Sequence, residues 1–285
     1  MRIVICLTAS IGVIISGSAL LAIWWAKHST KRKWQRSRHI LIVNEEEFNE
    51  KKQILYRSGK SSLQVIMDFD YTMTQYYTPS GHISTSTHGV FSRSGLLPQS
   101  FIEKEAYLFE KYFKYETDPT LSPAERFKYM EEWWHQAHAN LVQHKMTKYL
   151  LRQCMGPQKS TILLRQGCRE VIDLLEKHDI PLLIFSAGIG DVIEEFFRRD
   201  NVQPSNLHIL TGCTSRAAFI VVGDHIHDAL MCDSIPYAEV HLKIGLLNTD
   251  IEARLDHFKE VYDVIIIDDG PLDFLYDIVK EIIMN

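Results

Sequence analysis

Asp68 and Asp70, in Asp68-Phe69-Asp70-Tyr71-Thr72, follow directly on the apolar run Leu63-Gln64-Val65-Ile66-Met67. Side chains alternate faces along a strand, so residues two apart point the same way. A buried strand ending here delivers both carboxylates to one edge of a sheet. Such a pair is costly beside apolar sequence unless a cation or a reaction uses it. A strand closing on a polar loop explains one aspartate, not both. The spacing points to a metal-assisted phosphate site with an aspartate nucleophile.

Two more strand ends offer complementary parts. Ile180-Pro181-Leu182-Leu183-Ile184-Phe185 reads as a strand closing on Ser186-Ala187-Gly188-Ile189-Gly190, ahead of a helix from Asp191 to Arg199. Its hydroxyl and glycine-freed amides can cradle a phosphate, although a plain glycine turn would look the same. Phe219-Ile220-Val221-Val222 closes on Gly223-Asp224-His225-Ile226-His227-Asp228 and adds two carboxylates at that edge. Oxygen-only ligands favour Mg2+ over zinc, which leaves His225 and His227 as loop residues.

The elements that must position these groups read as an α/β fold: a Rossmann-like, doubly wound parallel sheet with a helical cap inserted after the first catalytic strand. Short strands at Leu207–Leu210 and Val264–Ile267, and a helix from Val171 to His178, continue the alternation. Residues 61–80 and 155–285 form the expected catalytic core and 81–154 the cap, over the strand ends where α/β sheets bind ligands. Residues 27–60 read as a basic and polar tether with a lead-in helix.

Ile3 to Ala26 is almost uninterrupted apolar sequence, long enough for a membrane-spanning helix. Trp24 and Trp25 sit where an aromatic belt would lie, followed by Lys27, Lys31, Arg32, Lys33, Arg36 and Arg38. The expectation is a transmembrane signal anchor over residues 1–26, holding the catalytic domain on the cytosolic face of a membrane. A cleaved signal peptide and a cytoplasmic protein are the alternatives. The formal net charge of -5 does not fit a general nucleic-acid surface. Cys6, Cys154, Cys168, Cys213 and Cys232 are odd in number and lack a CxxC pair, so neither a disulfide framework nor a zinc site is indicated.

From about Ile54 onward the chain resembles the haloacid dehalogenase-like phosphatases, and more closely the cytosolic 5'-nucleotidase III family. The resemblance rests on Asp68-Phe69-Asp70-Tyr71-Thr72-Met73-Thr74, Ile184-Phe185-Ser186-Ala187-Gly188-Ile189-Gly190-Asp191, Gly223-Asp224 with Asp228, and Leu242-Lys243-Ile244-Gly245-Leu246-Leu247-Asn248. It implies hydrolysis of nucleoside 5'-monophosphates, CMP/UMP and/or 7-methyl-GMP, through an aspartyl phosphate. In that reading Asp68 is the nucleophile and Asp70 the general acid and base. Mg2+ is held by Asp68, the Asp70 carbonyl, Asp224 and Asp228, and the phosphoryl group by Ser186, Ala187 and Gly188. Glu116, Trp134 and Ala137 meet the base. Longer family members also begin with a hydrophobic segment and basic residues, which makes the endoplasmic reticulum the implied membrane.

The chain departs from the family at one place. The family carries a phosphate-neutralising lysine between the third and fourth core strands, within several tens of residues. Here Leu210 is followed by Thr211-Gly212-Cys213-Thr214-Ser215-Arg216-Ala217-Ala218 and then by the next strand. That is too short for a crossover with its helix. An internal deletion, a degenerate relative, and a cation recruited elsewhere are the competing explanations, with the deletion first. The alternative function is accordingly a catalytically impaired variant or a nucleotide-binding pseudoenzyme. Arg216 is the one cation in the gap.

Overall fold

The computed structural model describes residues 39–285 apart from 117, 119, 157–159, 203, 210–215, 234 and 236. Seven strands form one sheet: β1 (Ile40–Ile42), β2 (Leu63–Met67), β3 (Leu182–Ile184), β4 (Leu207–Ile209), β5 (Ala218–Gly223), β6 (Val240–Leu247) and β7 (Val264–Ile267). Their order is β1-β7-β6-β5-β2-β3-β4, parallel throughout except for β1, which pairs antiparallel with β7. Every residue of β2, β3 and β5 is buried. Covered on both faces, these strands are continuous apolar runs rather than alternating ones.

Helices α1 (Glu45–Ser58), α6 (Cys168–Lys177), α7 (Gly190–Arg199), α8 (Ile251–Val261) and α9 (Asp273–Met284) accompany the sheet. Asn44 caps α1 by accepting from the Glu46 and Glu47 amides. Between β2 and β3 the chain is helical: α2 (Gly89–Arg93), α3 (Gln99–Glu116), α4 (Pro123–Gln143) and α5 (Lys148–Cys154). A reciprocal capping box, Ser122 with Glu125, starts α4. α3 and α4 share a small core of Leu108, Tyr112, Met130 and Ala137, separate from the main core around the sheet.

Two sequence-based expectations change. The expected transmembrane helix at Ile3–Ala26 lies outside the described residues, and no described helix is long and apolar enough to cross a membrane. The architecture supported among the described residues is therefore the α/β sheet with its helical insertion. The second change concerns the shortened segment. β4 and β5 are not neighbours but lie three strand positions apart, with β3 and β2 between them. At about 4.8 Å per position, β4 and β5 stand about 14 Å apart across the sheet. Residues 210–215 of the connection between them lie outside the described residues.

Candidate active site

β2 ends by passing Asp68 over the sheet edge, and Phe69 turns the other way, its ring packed edge-on against Phe196 and Phe197 at 5.3 and 5.9 Å. This burial keeps both aspartates on the polar side. Phe69–Met73 then makes a tight turn in which Tyr71 adopts φ 59°, a left-handed conformation costly for a bulky residue. The turn is held from inside by the Tyr71 amide donating to Thr74 Oγ1 at 2.8 Å. From outside, Arg165 and the Asn248 amide both donate to the Tyr71 carbonyl.

Asp68, Asp224 and Asp228 bring one carboxylate oxygen each to within 4.8 Å of one another. β2 and β5 are adjacent and in register, Met67 opposite Val222, so both strands end at the same level. Asp228 reaches the cluster because Gly223 has no side chain: a Cβ there would fall 2.1 Å from the Asp228 Cβ. Its Oδ2 is held by the His225 amide at 2.9 Å. The imidazoles of His225 and His227 are not in the cluster, and burial drives the His225 pKa down to about 3. Thr72 donates to Asp224 Oδ1 at 3.4 Å.

Burial raises the Asp68 carboxyl well above the usual range, and Asp228, Asp224 and Asp70 push it further; the Ser186 hydrogen bond opposes them. Asp224 is raised in the same way, with Arg165 and Arg254 pulling it back. Burial lifts Asp70 to about 6 and Asp228 to about 7. Crowded, dehydrated carboxylates of this kind are the donor set of a hard divalent cation, whose charge would remove the repulsion. In metal-free protein the sign follows from linkage. Folded carboxyls with raised pKa hold protons that the unfolded chain releases, so stability falls as pH rises from about 4 through about 7. We expect Tm in EDTA to drop by roughly 5 °C or more between pH 5 and pH 8. Mg2+ should raise Tm more at pH 8 than at pH 5. A flat profile would mean that the carboxylates are compensated some other way.

The other expected groups fall as follows. Ser186 accepts from the Gly188 amide at 3.1 Å and bonds Asp68, which places the 186–190 loop against that carboxylate. The Asp70 carboxylate is turned to Thr87, which donates from its amide and hydroxyl. Glu116 ends α3, half-buried, and burial raises its pKa while Arg126 opposes. Trp134 is 41% exposed, its ring edge-on to Phe127, whereas Trp133 stacks on Tyr112. Ala137, one turn beyond Trp134, sits in the α3–α4 core.

Arg216 is far from all of these. Its guanidinium donates to the Lys60 and Ser61 carbonyls, before β2 begins, and to the Asp179 carbonyl. That is the opposite end of the strands, about 16 Å of β2 away from Asp68. Sequence reasoning missed Arg165, whose side chain is fully buried. It donates to the Thr72 carbonyl at 2.8 Å and the Gly270 carbonyl at 3.1 Å, and pairs with Asp269 at 2.8 Å. Its only signal in the sequence is an arginine following the apolar Ile162-Leu163-Leu164. Cys232, Asp233 and His241 form another cluster of potential metal-binding atoms, but the Lys243 ammonium already lies 2.6 Å from the Asp233 carboxylate.

The sequence profile of Pyrimidine 5'-nucleotidase (UMPH-1) matches residues 71–215 and 212–283. The chain belongs to this family. Its match comes in two pieces that overlap at residues 212–215. The mouse 7-methylguanosine phosphate-specific 5'-nucleotidase is 31% identical over 265 residues, covering 80% of this chain and 87% of the relative. Eighty per cent of 285 residues is about 228, so roughly 37 aligned positions have no residue here. The chicken enzyme of the same name is 30% identical over 263 residues, covering 80% of this chain and 90% of its own. The crystal structure of cytosolic 5'-nucleotidase IIIB bound to cytidine superposes with TM-score 0.78 at 25% identity, covering 86% of this chain and 93% of that one. The chain thus keeps the fold of that relative.

Proposed function

We propose that this chain is a catalytically impaired 5'-nucleotidase that binds nucleoside 5'-monophosphates and hydrolyses them slowly with Mg2+. One observation carries the reading. The carboxylate cluster and the 186–190 loop are assembled, while the cation of the shortened segment, Arg216, faces the other end of the sheet. The names of the relatives, 7-methylguanosine phosphate-specific nucleotidases and a cytidine-bound enzyme, support CMP and 7-methyl-GMP as the substrates to test.

Asp68, Asp224 and Asp228, with the Asp70 carbonyl, would hold Mg2+, whose charge lets a carboxylate and a phosphate approach each other. An Asp68 oxygen attacks phosphorus, the bond to the nucleoside O5' breaks, and Asp70 gives that oxygen its proton. Asp70 then takes a proton from the water that attacks the aspartyl phosphate, which releases phosphate and restores Asp68. Ser186, the Ala187 amide and Gly188 hold the phosphoryl oxygens. Glu116 accepts from the base, and the exposed Trp134 indole offers a face to a cationic methylated guanine. Arg216, turned to the Lys60 and Ser61 carbonyls, does not supply the positive charge that would meet those oxygens as charge builds on them, a contact typically worth about 10²–10³ in rate.

The test is phosphate release from CMP and 7-methyl-GMP by the full chain, with Mg2+ and with EDTA. The expected result is slow, Mg2+-dependent release. Binding of either nucleotide without release would make the chain a nucleotide-binding protein and remove the hydrolytic part of the proposal.

A further inference from the structure

Between β2 and α2 lies a run of buried hydroxyl residues. Ser84, Thr85 and Thr87 are 0%, 1% and 0% exposed. Two of them are tied to neighbouring segments: Ser84 Oγ donates to the Gln75 carbonyl at 2.6 Å, and Thr85 and Thr161 share a hydroxyl–hydroxyl bond of 2.6 Å. The third is committed to the site. Thr87 Oγ1 donates to Asp70 Oδ2 at 2.6 Å, and its amide donates to Asp70 Oδ1 and Oδ2 at 2.9 and 3.1 Å. The same hydroxyl accepts the Ile189 amide at 3.3 Å.

Resting on the nucleotidase reading above, we infer that Thr87 is the positioning residue for Asp70, locking it to the phosphate-binding loop so that acid and phosphoryl group are placed by one clamp. A threonine hydroxyl has a single proton. Because the Ile189 N–H must donate, the hydroxyl accepts there and its own proton is turned to Asp70. With the Thr87 amide as a second donor, the carboxylate is gripped at two points, and its rotation is fixed as well as its place. The approach depends on Gly188, where a Cβ would lie 2.6 Å from Thr87 Oγ1. The adjacent His88, half-buried, bonds the Ala187 backbone. Residues 87 and 88 therefore hold both Asp70 and the loop that would carry the phosphoryl group. Misplacing a reacting group by about 1 Å can cost about 10²-fold.

The experiment compares Thr87→Val and Thr87→Ser with the unaltered full chain, using CMP and Mg2+. Valine keeps the shape and the backbone amide but removes the hydroxyl; serine keeps both donors. The expected result is a kcat about 10- to 100-fold lower for valine, KM within about twofold, and serine within about threefold of the unaltered chain. A valine variant with unchanged kcat, or a serine variant as slow as valine, overturns the assignment. If the unaltered chain releases no phosphate, the hydrolytic reading fails separately, and the clamp is read from crystal structures of the chain and Thr87→Val. An Asp70 side chain that leaves its place in the variant supports the clamp. One that stays against the Thr87 amide in the same rotamer overturns it.

Discussion

Asp68→Asn is expected to cut phosphate release by at least about 10³-fold while making the metal-free protein more heat-stable. The two effects have one cause. An asparagine amide carries no charge and is no nucleophile towards phosphorus at neutral pH, so the covalent step is lost rather than slowed, and removing such a group typically costs several orders of magnitude. Yet the Asp68 carboxyl is buried and pressed by Asp228, Asp224 and Asp70, which is why its pKa is driven up. Replacing it with a neutral isostere removes one desolvated charge and three repulsions. A gain in stability on loss of a catalytic carboxylate is the usual sign of a strained site. Phosphate release and Tm in EDTA, measured on the same samples, check both halves. Release within tenfold of the original would mean that another group is the nucleophile. A lower Tm would mean that the carboxylate cluster is not strained.

Arg165→Met is the second large effect, and it falls on stability. The guanidinium serves the Tyr71, Thr72, Thr74 and Gly270 carbonyls and Asn248 Oδ1, besides its ion pair with Asp269. Methionine fits the volume but takes the guanidinium donors away from all of these acceptors, of which the Tyr71 carbonyl keeps the Asn248 amide. Asp269 keeps only the Tyr76 and Tyr77 amides, at 2.9 and 3.0 Å. Breaking a buried pair from one side typically costs about 3–5 kcal/mol, which for a chain of this size corresponds to about 10 °C in Tm. The left-handed Tyr71 would lose one of its two outer supports, the Asn248 amide remaining, so Mg2+ binding should weaken as well. Lysine at 165 should recover only part of the loss, since a single ammonium cannot reproduce the fork. A Tm within about 2 °C of the original would show that the turn after Asp70 stands without this arginine.

How much of this was legible follows from what kind of information each feature needs. β2, β3, β5 and β7 are apolar runs closing on small or acidic residues, a local signal, and they stand where that signal put them. β6 shows in the sequence only as a family motif, and β1 is three residues long, too short for any periodicity to show. Arg165 meets the Thr72 carbonyl across 93 positions of chain and Thr87 meets Asp70 across 17, distances over which no residue spacing predicts a partner. Ala137, grouped with Trp134 as a base contact, is helix core, because a helix face turns inward or outward according to what packs on it.

The sequence by itself determined the family, the strand ends on which the carboxylates sit, and the shortness of the stretch after β4. These are matters of residue type and local order, which a chain carries before it folds. Only the tertiary structure decided that β4 and β5 lie three positions apart, that Arg216 faces the far end of the sheet, and that Asp70 is held by Thr87. Strand order and buried polar pairing are set by which faces pack together and which donors find acceptors once water is excluded, and neither is written in any short run of residues.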